Sequence, residues 1–279
     1  MTTSPQFERI DPSCRIEEET LRDYKAERYY PVQIGQVFND RYKVIGKLGY
    51  GSASTVWLCR DLHEENGYVA LKVYVNSSKV HRELPIYKHI NSLQLEHGGR
   101  AHVRKLLESF ELEGPHGRHI CLVHQPLGIS FDELRELTPD GVFGVDLIRQ
   151  TIRHILAGLE CLHEAHVIHT GKSKNIDTSP IVNVVQDLQP NNMLMGIDDP
   201  SIFAKFEQYE AESPVPRKEL DGRIIYMSRP MPLSKGLPLL SDLSEARFGG
   251  SEHIDLIMPD VYRAPEVILG MPWSYPVDI

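Results

Sequence analysis

The sequence lacks the features that mark membrane-spanning, secreted and nucleic-acid-binding proteins. Its 279 residues contain no apolar run of about 18 residues, which excludes an ordinary membrane-spanning helix. The polar, acidic N terminus has no apolar core of a secretory signal. Basic residues number 30 against 39 acidic ones, so the net charge is −9. We therefore expect neither membrane nor direct nucleic-acid partners, because phosphate-backbone binding needs basic patches.

Cysteine is also scarce, and internal repeats are absent. The four cysteines are scattered without the spacing of a metal site, which favours a reduced compartment. A hydrophobic fraction of 41% and a charged fraction of 25% are ordinary for a globular protein. The acidic balance by itself indicates solubility rather than a basic partner. The length allows one large domain or two lobes.

The apolar pattern divides the chain into three parts. We predict a polar, loosely ordered extension over residues 1–30, then a mostly antiparallel β unit with one helix, near residues 79–93. From residue 128 the pattern is helical, and inserted loop sequence rich in Pro, Ser and charge follows over about residues 197–238. A long amphipathic helix is predicted from apolar residues at helical spacing, which are Leu147, Ile148, Ile152, Ile155, Leu156, Leu159 and Leu162.

The first chemically informative stretch is the glycine-rich LGYGSASTVW, residues 48–57. Gly49 and Gly51 fall between two predicted strands, where glycine lets backbone N–H groups approach phosphates closely. Two glycines in a hairpin are, on their own, more often a plain turn. This turn joins strand to strand, unlike Rossmann and Walker loops, which open a helix.

The next predicted strand, VALKV, contains Lys72. A lysine among apolar neighbours needs an anionic partner, because burying an unpaired charge is costly. Val56 and Ala70 are suited to sandwich a flat base between them. The alternative for Lys72 alone is a strand lysine whose charged end reaches solvent.

The order of motifs along the chain resembles that of the eukaryotic protein kinases. Each motif alone has a plain structural explanation, as a turn residue or a solvated charge. Together, from about residue 29 to the last residue, they are specific for the superfamily. In chain order, Gly49 and Gly51 match the glycine loop, Lys72 the strand lysine, Glu83 the helix glutamate, Asp187 with Asn192 the Asp-x-x-x-x-Asn loop, Asp242 the metal-binding aspartate, and residues 264–266 the Ala-Pro-Glu motif.

The resemblance implies an α+β, two-lobed, protein-kinase-like fold. The N-terminal lobe, residues 31–127, would be an antiparallel sheet plus a helix, and residues 128–279 would form an incomplete, mainly helical C-terminal lobe. The chain stops at SYPVDI, where the long central helix of that lobe would begin, so part of the 145–163 stripe is expected to lack cover.

The resemblance also implies a role for each matching residue. Lys72 would hold the α- and β-phosphates of ATP with Glu83 orienting it, and Asp187 would accept the proton of the substrate hydroxyl. Mg²⁺ would be held by Asn192 and Asp242. Such a protein mainly positions groups and stabilises charge. The implied ATP-binding residues are Leu48, Gly49, Tyr50, Gly51, Ser52, Val56, Ala70, Lys72, Gln125 and Leu127, the last offering its N–H to adenine.

The sequence flanking these motifs resembles the kinases that phosphorylate Ser-Arg-rich splicing proteins, especially fungal relatives. The matching stretches are residues 29–61, HICLVHQPLG and HT…DLQPNN. The resemblance implies ATP and a Ser-Arg-rich protein as partners, a monomer, and a cytoplasmic or nuclear location, with a link to mRNA processing. YRAPEVILG argues against the small-molecule phosphotransferases, because it belongs to a protein-substrate activation segment.

Several positions depart from the family pattern. Thr170 replaces the arginine that usually pairs with an activation-loop phosphate, which predicts that no such phosphate is needed. Gln189 and Pro259 replace the usual catalytic-loop Lys and its Thr partner. Asp-Leu-Ser at 242–244 replaces Asp-Phe-Gly. Pro85, inside the predicted helix, would cost about 3 kcal/mol and misplace Glu83 unless the helix starts just there.

The largest departure is the stretch 171–186, which separates His169-Thr170 from Asp187. Deleting it restores an uninterrupted HTDLQPNN, which favours translated intron sequence, and a lineage-specific loop is the alternative. Two functions stay open on these grounds. An active kinase is favoured by Lys72, Asp187, Asn192 and Asp242, and a pseudokinase or binding module is favoured by the insertion, Pro85 and the missing C-terminal part.

Overall fold

The structure is a computed structural model that describes residues 7–76, 82–170, 190–250, 252–258 and 263–279. The chain divides into two compact units. Unit 1 comprises Met1–Lys79, Lys105–Gly128 and Ile197–Ser234, and unit 2 comprises Val80–Arg104, Ile129–Gly196 and Lys235–Ile279. These limits differ from the sequence-based lobes, because residues 197–234 group with the N-terminal residues and residues 80–104 group with unit 2.

The elements follow one another in a strand-rich first part and a mixed second part. The strands are β1 (Val37–Phe38), β2 (Tyr42–Tyr50), β3 (Ser54–Asp61), β4 (Tyr68–Tyr74), β5 (Leu106–Gly114), β6 (Gly117–His124), β7 (Val167–Ile168), β8 (Met193–Met195), β9 (Arg217–Leu220), β10 (Arg223–Tyr226), β11 (Pro238–Leu240) and β12 (Arg247–Phe248). The α-helices are α1 (Glu83–Ser92), α2 (Phe131–Glu136), α3 (Val145–Glu164), α4 (Ser201–Glu212) and α5 (Pro265–Ile268). Short 3₁₀ turns cover Glu17–Thr20, Ala26–Arg28, Gly98–His102, Pro139–Gly141, Pro190–Asn192 and Tyr275–Asp278.

Unit 1 is built on one antiparallel sheet in the order β1-β2-β3-β4-β6-β5. Its strands are rich in β-branched and aromatic residues, which suit a pleated, half-buried surface. Alternate side chains point to opposite faces. One face carries the apolar core, formed by Val32, Phe38, Tyr42, Val44, Trp57, Cys59, Val69, Leu71, Val73, Cys121, Val123, Val215 and Tyr226.

The N-terminal extension and the insertion are more structured than the sequence predicted. Residues 17–20 and 26–28 form 3₁₀ turns, and α4 with the β9–β10 hairpin occupies the predicted loop. Buried ion pairs contribute to the packing of both segments within unit 1. Lys47 bonds Glu17 at 3.2 Å and also contacts Glu18, while Lys218 bonds Glu19 at 2.6 Å. The insertion also buries apolar side chains, since Phe206 is fully buried and Val215 and Tyr226 belong to the core of unit 1.

Unit 2 contains the helices α1, α2, α3 and α5 and two short antiparallel ladders, β8–β11 and β7–β12. Ser130 and Glu133 form a capping box that starts α2. A local core near the C terminus consists of Ile168, Ile257, Met258, Val267, Trp273 and Val277.

Helix α3 confirms the predicted amphipathic helix, but only part of its stripe is buried. Ile155, Leu159 and Leu162 are buried. The remaining stripe residues are exposed, and these are Leu147, Ile148, Ile152 and Leu156. No helix in the described ranges is long and apolar enough to cross a membrane.

Candidate active site

The glycine-rich turn joins β2 and β3, as predicted. Gly49 pairs with Val56 and Tyr50 with Thr55, and the Gly51 N–H donates to the Ser54 carbonyl at 2.8 Å. Neither glycine has a positive φ. Among the described residues, a Cβ at Gly49 would meet nothing within 4 Å, and one at Gly51 would come no closer than 4.0 Å to Ser54. Backbone strain and packing therefore do not require glycine here, whereas close approach of a ligand would.

The strands after this turn place Val56, Ala70 and Lys72 on one face of the sheet. Val56 lies directly opposite Lys72 in the β3–β4 ladder, and Ala70 precedes Lys72 by two residues. The apolar core lies on the other face, where Leu71 and Val73 point. Lys72 is half-buried, and its Nζ lies 5.1 Å from the ring centroid of Tyr74.

The segment after β6 carries the two predicted adenine-binding residues. The Gln125 N–H donates to the Lys105 carbonyl at 3.3 Å, so this amide is used within unit 1. Leu127 is buried, and among the described residues no backbone carbonyl accepts its N–H. A buried amide of this kind is a donor that a ligand can use.

In unit 2, Asn192 and Asp242 lie at the same end of the β8–β11 ladder. Asn192 directly precedes β8, and its carbonyl accepts bonds from the Ser241 N–H at 2.9 Å and the Ser241 hydroxyl at 3.0 Å. Asp242 follows with a left-handed φ of 62° and accepts the Ser244 N–H at 3.2 Å. Leu243, in the place of the family Phe, is fully buried. The two oxygen-bearing side chains predicted to hold Mg²⁺ thus start from adjacent backbone positions.

Glu83 is the first residue of α1 and is buried. Pro85 therefore lies in the first turn, where backbone N–H groups have no partner inside the helix. The first helical bond of this turn, from the Ile86 N–H to the Arg82 carbonyl at 3.3 Å, is formed. Pro85 therefore does not interrupt the helix, because the helix begins only two residues before it.

Arg104 is a neighbour of this site that the sequence does not reveal. Its N–H donates to the Leu240 carbonyl at 2.9 Å, two residues before Asp242. Burial lowers the pKa of Arg104, and the nearby Tyr87, Glu83 and Asp242 partly offset that effect by favouring its charged form. In the sequence, Arg104 lies between Val103 and Lys105 and matches no motif, so it would be predicted to be a surface residue.

The first half of the catalytic loop is held by the buried carboxylate of Asp278. This carboxylate accepts the N–H groups of His169 at 2.8 Å and Thr170 at 2.9 Å, and it pairs with His163 at 2.8 Å. His169 is buried. The predictions for Asp187, Gln189, Pro259 and residues 171–186 concern positions outside the described residues.

Comparison with known proteins shows which proteins this chain is similar to. A serine/threonine protein kinase of Aspergillus fumigatus is 41% identical over 279 residues, covering 98% of this chain and 63% of the relative. A serine/threonine-protein kinase SRPK of Physarum polycephalum is 32% identical over 94% of this chain and 63% of its own length. Mouse SRSF protein kinase 3 is 32% identical over 66% of this chain and 30% of that protein.

The structural comparison agrees with the sequence relatives. The crystal structure of a kinase domain matches with a TM-score of 0.63 at 26% identity, covering 90% of this chain and 64% of that one. No protein-family profile matches the chain. The chain has the kinase-domain fold, and its relatives are serine/threonine protein kinases, which confirms the predicted fold and resemblance. It spans about 63% of the length of its Aspergillus and Physarum relatives.

Proposed function

We propose that this chain binds ATP with Mg²⁺ and transfers the γ-phosphoryl group to serine or threonine hydroxyls of Ser-Arg-rich proteins. One observation carries the proposal. The turn between β2 and β3 has two glycines that neither strain nor packing requires, and Val56, Ala70 and Lys72 follow on a single sheet face. That combination suits a nucleotide whose phosphates approach the turn and whose base lies on small apolar side chains.

In this proposal each unit contributes its own groups. From unit 1, Lys72 neutralises phosphate charge and the Leu127 N–H donates to the base. In unit 2, Glu83 orients Lys72, and Asp187 accepts the proton of the attacking hydroxyl.

The metal is proposed to lie at the end of the β8–β11 ladder. Asn192 and Asp242 supply amide and carboxylate oxygens, which fit Mg²⁺, a hard cation usually held by one or two carboxylates and by substrate phosphates. When bound, Mg²⁺ neutralises charge on the transferring phosphates. Within the described residues, no cluster of three or more His, Cys, Asp or Glu offers a competing site.

The substrate class rests on the relatives. The Physarum and mouse proteins carry the names SRPK and SRSF protein kinase 3. Ser-Arg-rich proteins are therefore the class of substrate to test first.

A pseudokinase or nucleotide-binding module is the second candidate. It is favoured by residues 171–186, which separate the anchored Thr170 from Asp187. An error of about 1 Å in a catalytic group can cost ~10²-fold in rate. Nucleotide binding would survive such an error, because it depends on the groups of unit 1.

The deciding experiment measures ATP/Mg²⁺ binding and phosphoryl transfer side by side. It uses this chain and a version without residues 171–186 that is extended at its C terminus to the length of its relatives. A Ser-Arg-rich peptide and the same peptide with alanine for serine are the substrates. Transfer to the first peptide alone supports the kinase, binding without transfer in both proteins supports the second candidate, and no binding contradicts both.

A further inference from the structure

A tyrosine from the N-terminal extension reaches the glycine-rich turn. Tyr29 follows the 3₁₀ turn Ala26–Arg28 and is 4% exposed. Its hydroxyl donates to the carbonyl of Gly51 at 3.0 Å. The N–H of Gly51 already donates to Ser54, so both backbone groups of this glycine are held.

The backbone around Tyr29 is itself fixed from two directions. Asn76, two residues after β4 ends, donates its N–H to the Arg28 carbonyl at 3.0 Å and its side-chain amide to the Glu27 carbonyl at 2.9 Å. Arg223 in β10 donates to the carbonyls of Ala26 and Tyr29. The tyrosine is thus tied to the strand that carries Lys72 and to the inserted hairpin.

Burial keeps the hydroxyl of Tyr29 a hydrogen-bond donor. The pKa of Tyr29 is raised to about 12, chiefly by burial and further by the nearby Glu18 carboxylate. The proton therefore stays on the hydroxyl across the physiological pH range, and the bond to Gly51 does not titrate there.

We propose that Tyr29 is a positioning residue for the nucleotide phosphates, because its hydroxyl holds Gly51 and so sets the glycine-rich turn in its binding conformation. Glycine loses more conformational freedom on ordering than any other residue. A turn that is already held saves that ordering cost when a ligand binds. This inference rests on the proposed nucleotide site and adds the N-terminal extension and the insertion to the machinery that shapes it.

The test compares Tyr29→Phe with the unmodified chain in binding to ATP, ADP and adenosine in the presence of Mg²⁺. Tyr29→Phe removes one hydroxyl and keeps the buried ring. Loss of a hydrogen bond of about 1 kcal/mol corresponds to about five-fold weaker binding of ATP and ADP. Adenosine affinity should not change, because adenosine has no phosphates to meet the turn.

Tyr30→Phe is the matched control. The hydroxyl of Tyr30 accepts a bond from Gln36 at 3.1 Å and its ring packs against Phe38, away from Gly51. This variant should bind all three ligands as the unmodified chain does. Equal losses in both variants would contradict a specific role for Tyr29.

Hydrogen exchange of the ligand-free chain provides a readout that needs no nucleotide. The Gly51 amide should exchange about five-fold faster in Tyr29→Phe and be unchanged in Tyr30→Phe. Unchanged exchange at Gly51, or an equal loss for ATP and adenosine, would overturn the inference while leaving the proposed function in place. An unmodified chain that binds neither ATP nor adenosine would contradict the proposed function, and the positioning role with it.

Discussion

Among single residues, Lys72 carries the sharpest prediction for nucleotide binding. It is half-buried, lies opposite Val56, and follows a turn whose glycines the fold does not need. Lys72→Ala should weaken ATP binding by roughly ten-fold or more, because a hydrogen bond to a charged group contributes about 1.5–3 kcal/mol. Thermal shift with ATP and Mg²⁺ measures the effect, with Lys43→Ala on the exposed side of β2 as the control. Equal shifts for Lys72→Ala and the unmodified chain would argue against this site.

Asp187 carries the prediction for chemistry rather than for binding. The loop-deleted, extended protein with Asp187→Ala should lose phosphoryl transfer by about 10²-fold or more, the usual contribution of a general base, while its ATP affinity stays nearly unchanged. Asp146→Ala, a change at an exposed surface carboxylate, is the control. Substantial turnover remaining in Asp187→Ala would show that another group is the base. A structure with Asp187 far from Asn192 and Asp242 would refute the constellation.

The N-terminal extension and residues 197–234 form an outer layer of unit 1 that the sequence did not predict. Lys47 on β2 is 1% exposed and lies between Glu17, Glu18 and the Tyr226 carbonyl. Lys47→Met should destabilise unit 1 by about 3–5 kcal/mol, because two carboxylates then stay buried without their cation. Denaturant unfolding measures this change.

Two further variants distinguish the effect of losing the ion pairs from the effect of losing a lysine side chain. Lys43→Met, on the same strand but exposed, should leave the free energy of unfolding nearly unchanged. Adding Glu17→Gln and Glu18→Gln to Lys47→Met should recover part of the loss, since the buried charges are then removed. No recovery would mean that packing, rather than charge, attaches the outer layer.

The contacts around Thr170 agree with the prediction that no activation-loop phosphate is needed. The Thr170 hydroxyl donates to the Glu245 carbonyl at 2.6 Å. The Glu245 carboxylate pairs with Arg82 at 3.2 Å, and Arg247 pairs with Asp255 at 3.2 Å, so acidic side chains of the chain itself already meet these arginines. Phosphatase treatment should therefore leave the activity of the loop-deleted, extended protein unchanged. A phosphopeptide in the same reaction confirms that the phosphatase works, and loss of transfer would contradict the prediction.

At the scale of the whole molecule, ordered motifs predicted more than composition did. The six kinase motifs gave the family and the strand-rich first part, because their order depends on the fold. Composition misled for residues 1–30 and 197–238, because Pro, Ser and charged residues surround the few apolar side chains that become buried, such as Phe206 and Val215. The sequence did not predict that the helix starts at Glu83, which places Pro85 in its first turn. The position of Arg104 near Glu83 and Asp242 could not be predicted either, because it depends on contacts between residues distant in sequence.

At the same scale, the stretch 171–186 interrupts the catalytic loop between Thr170 and Asp187. Lengthening the connection about nine-fold costs only about 2 kcal/mol of closure entropy, so folding tolerates it. Catalysis does not, because Thr170 is fixed through Asp278 and Asn192 through Ser241, while Asp187 loses its short tether to Thr170. Deleting residues 171–186 should raise the turnover rate by about 10²-fold and leave ATP affinity unchanged.

A 16-residue Gly-Ser segment in place of residues 171–186 is the matched control. It keeps the length and removes the sequence, so turnover as low as in the unmodified chain would show that tether length is the cause. Transcript sequencing tests the origin of the segment, because intron sequence would be absent from part of the mature messages. If every message retains these codons and the deletion gains no turnover, the segment is a genuine loop of this protein and the interrupted arrangement is its native form.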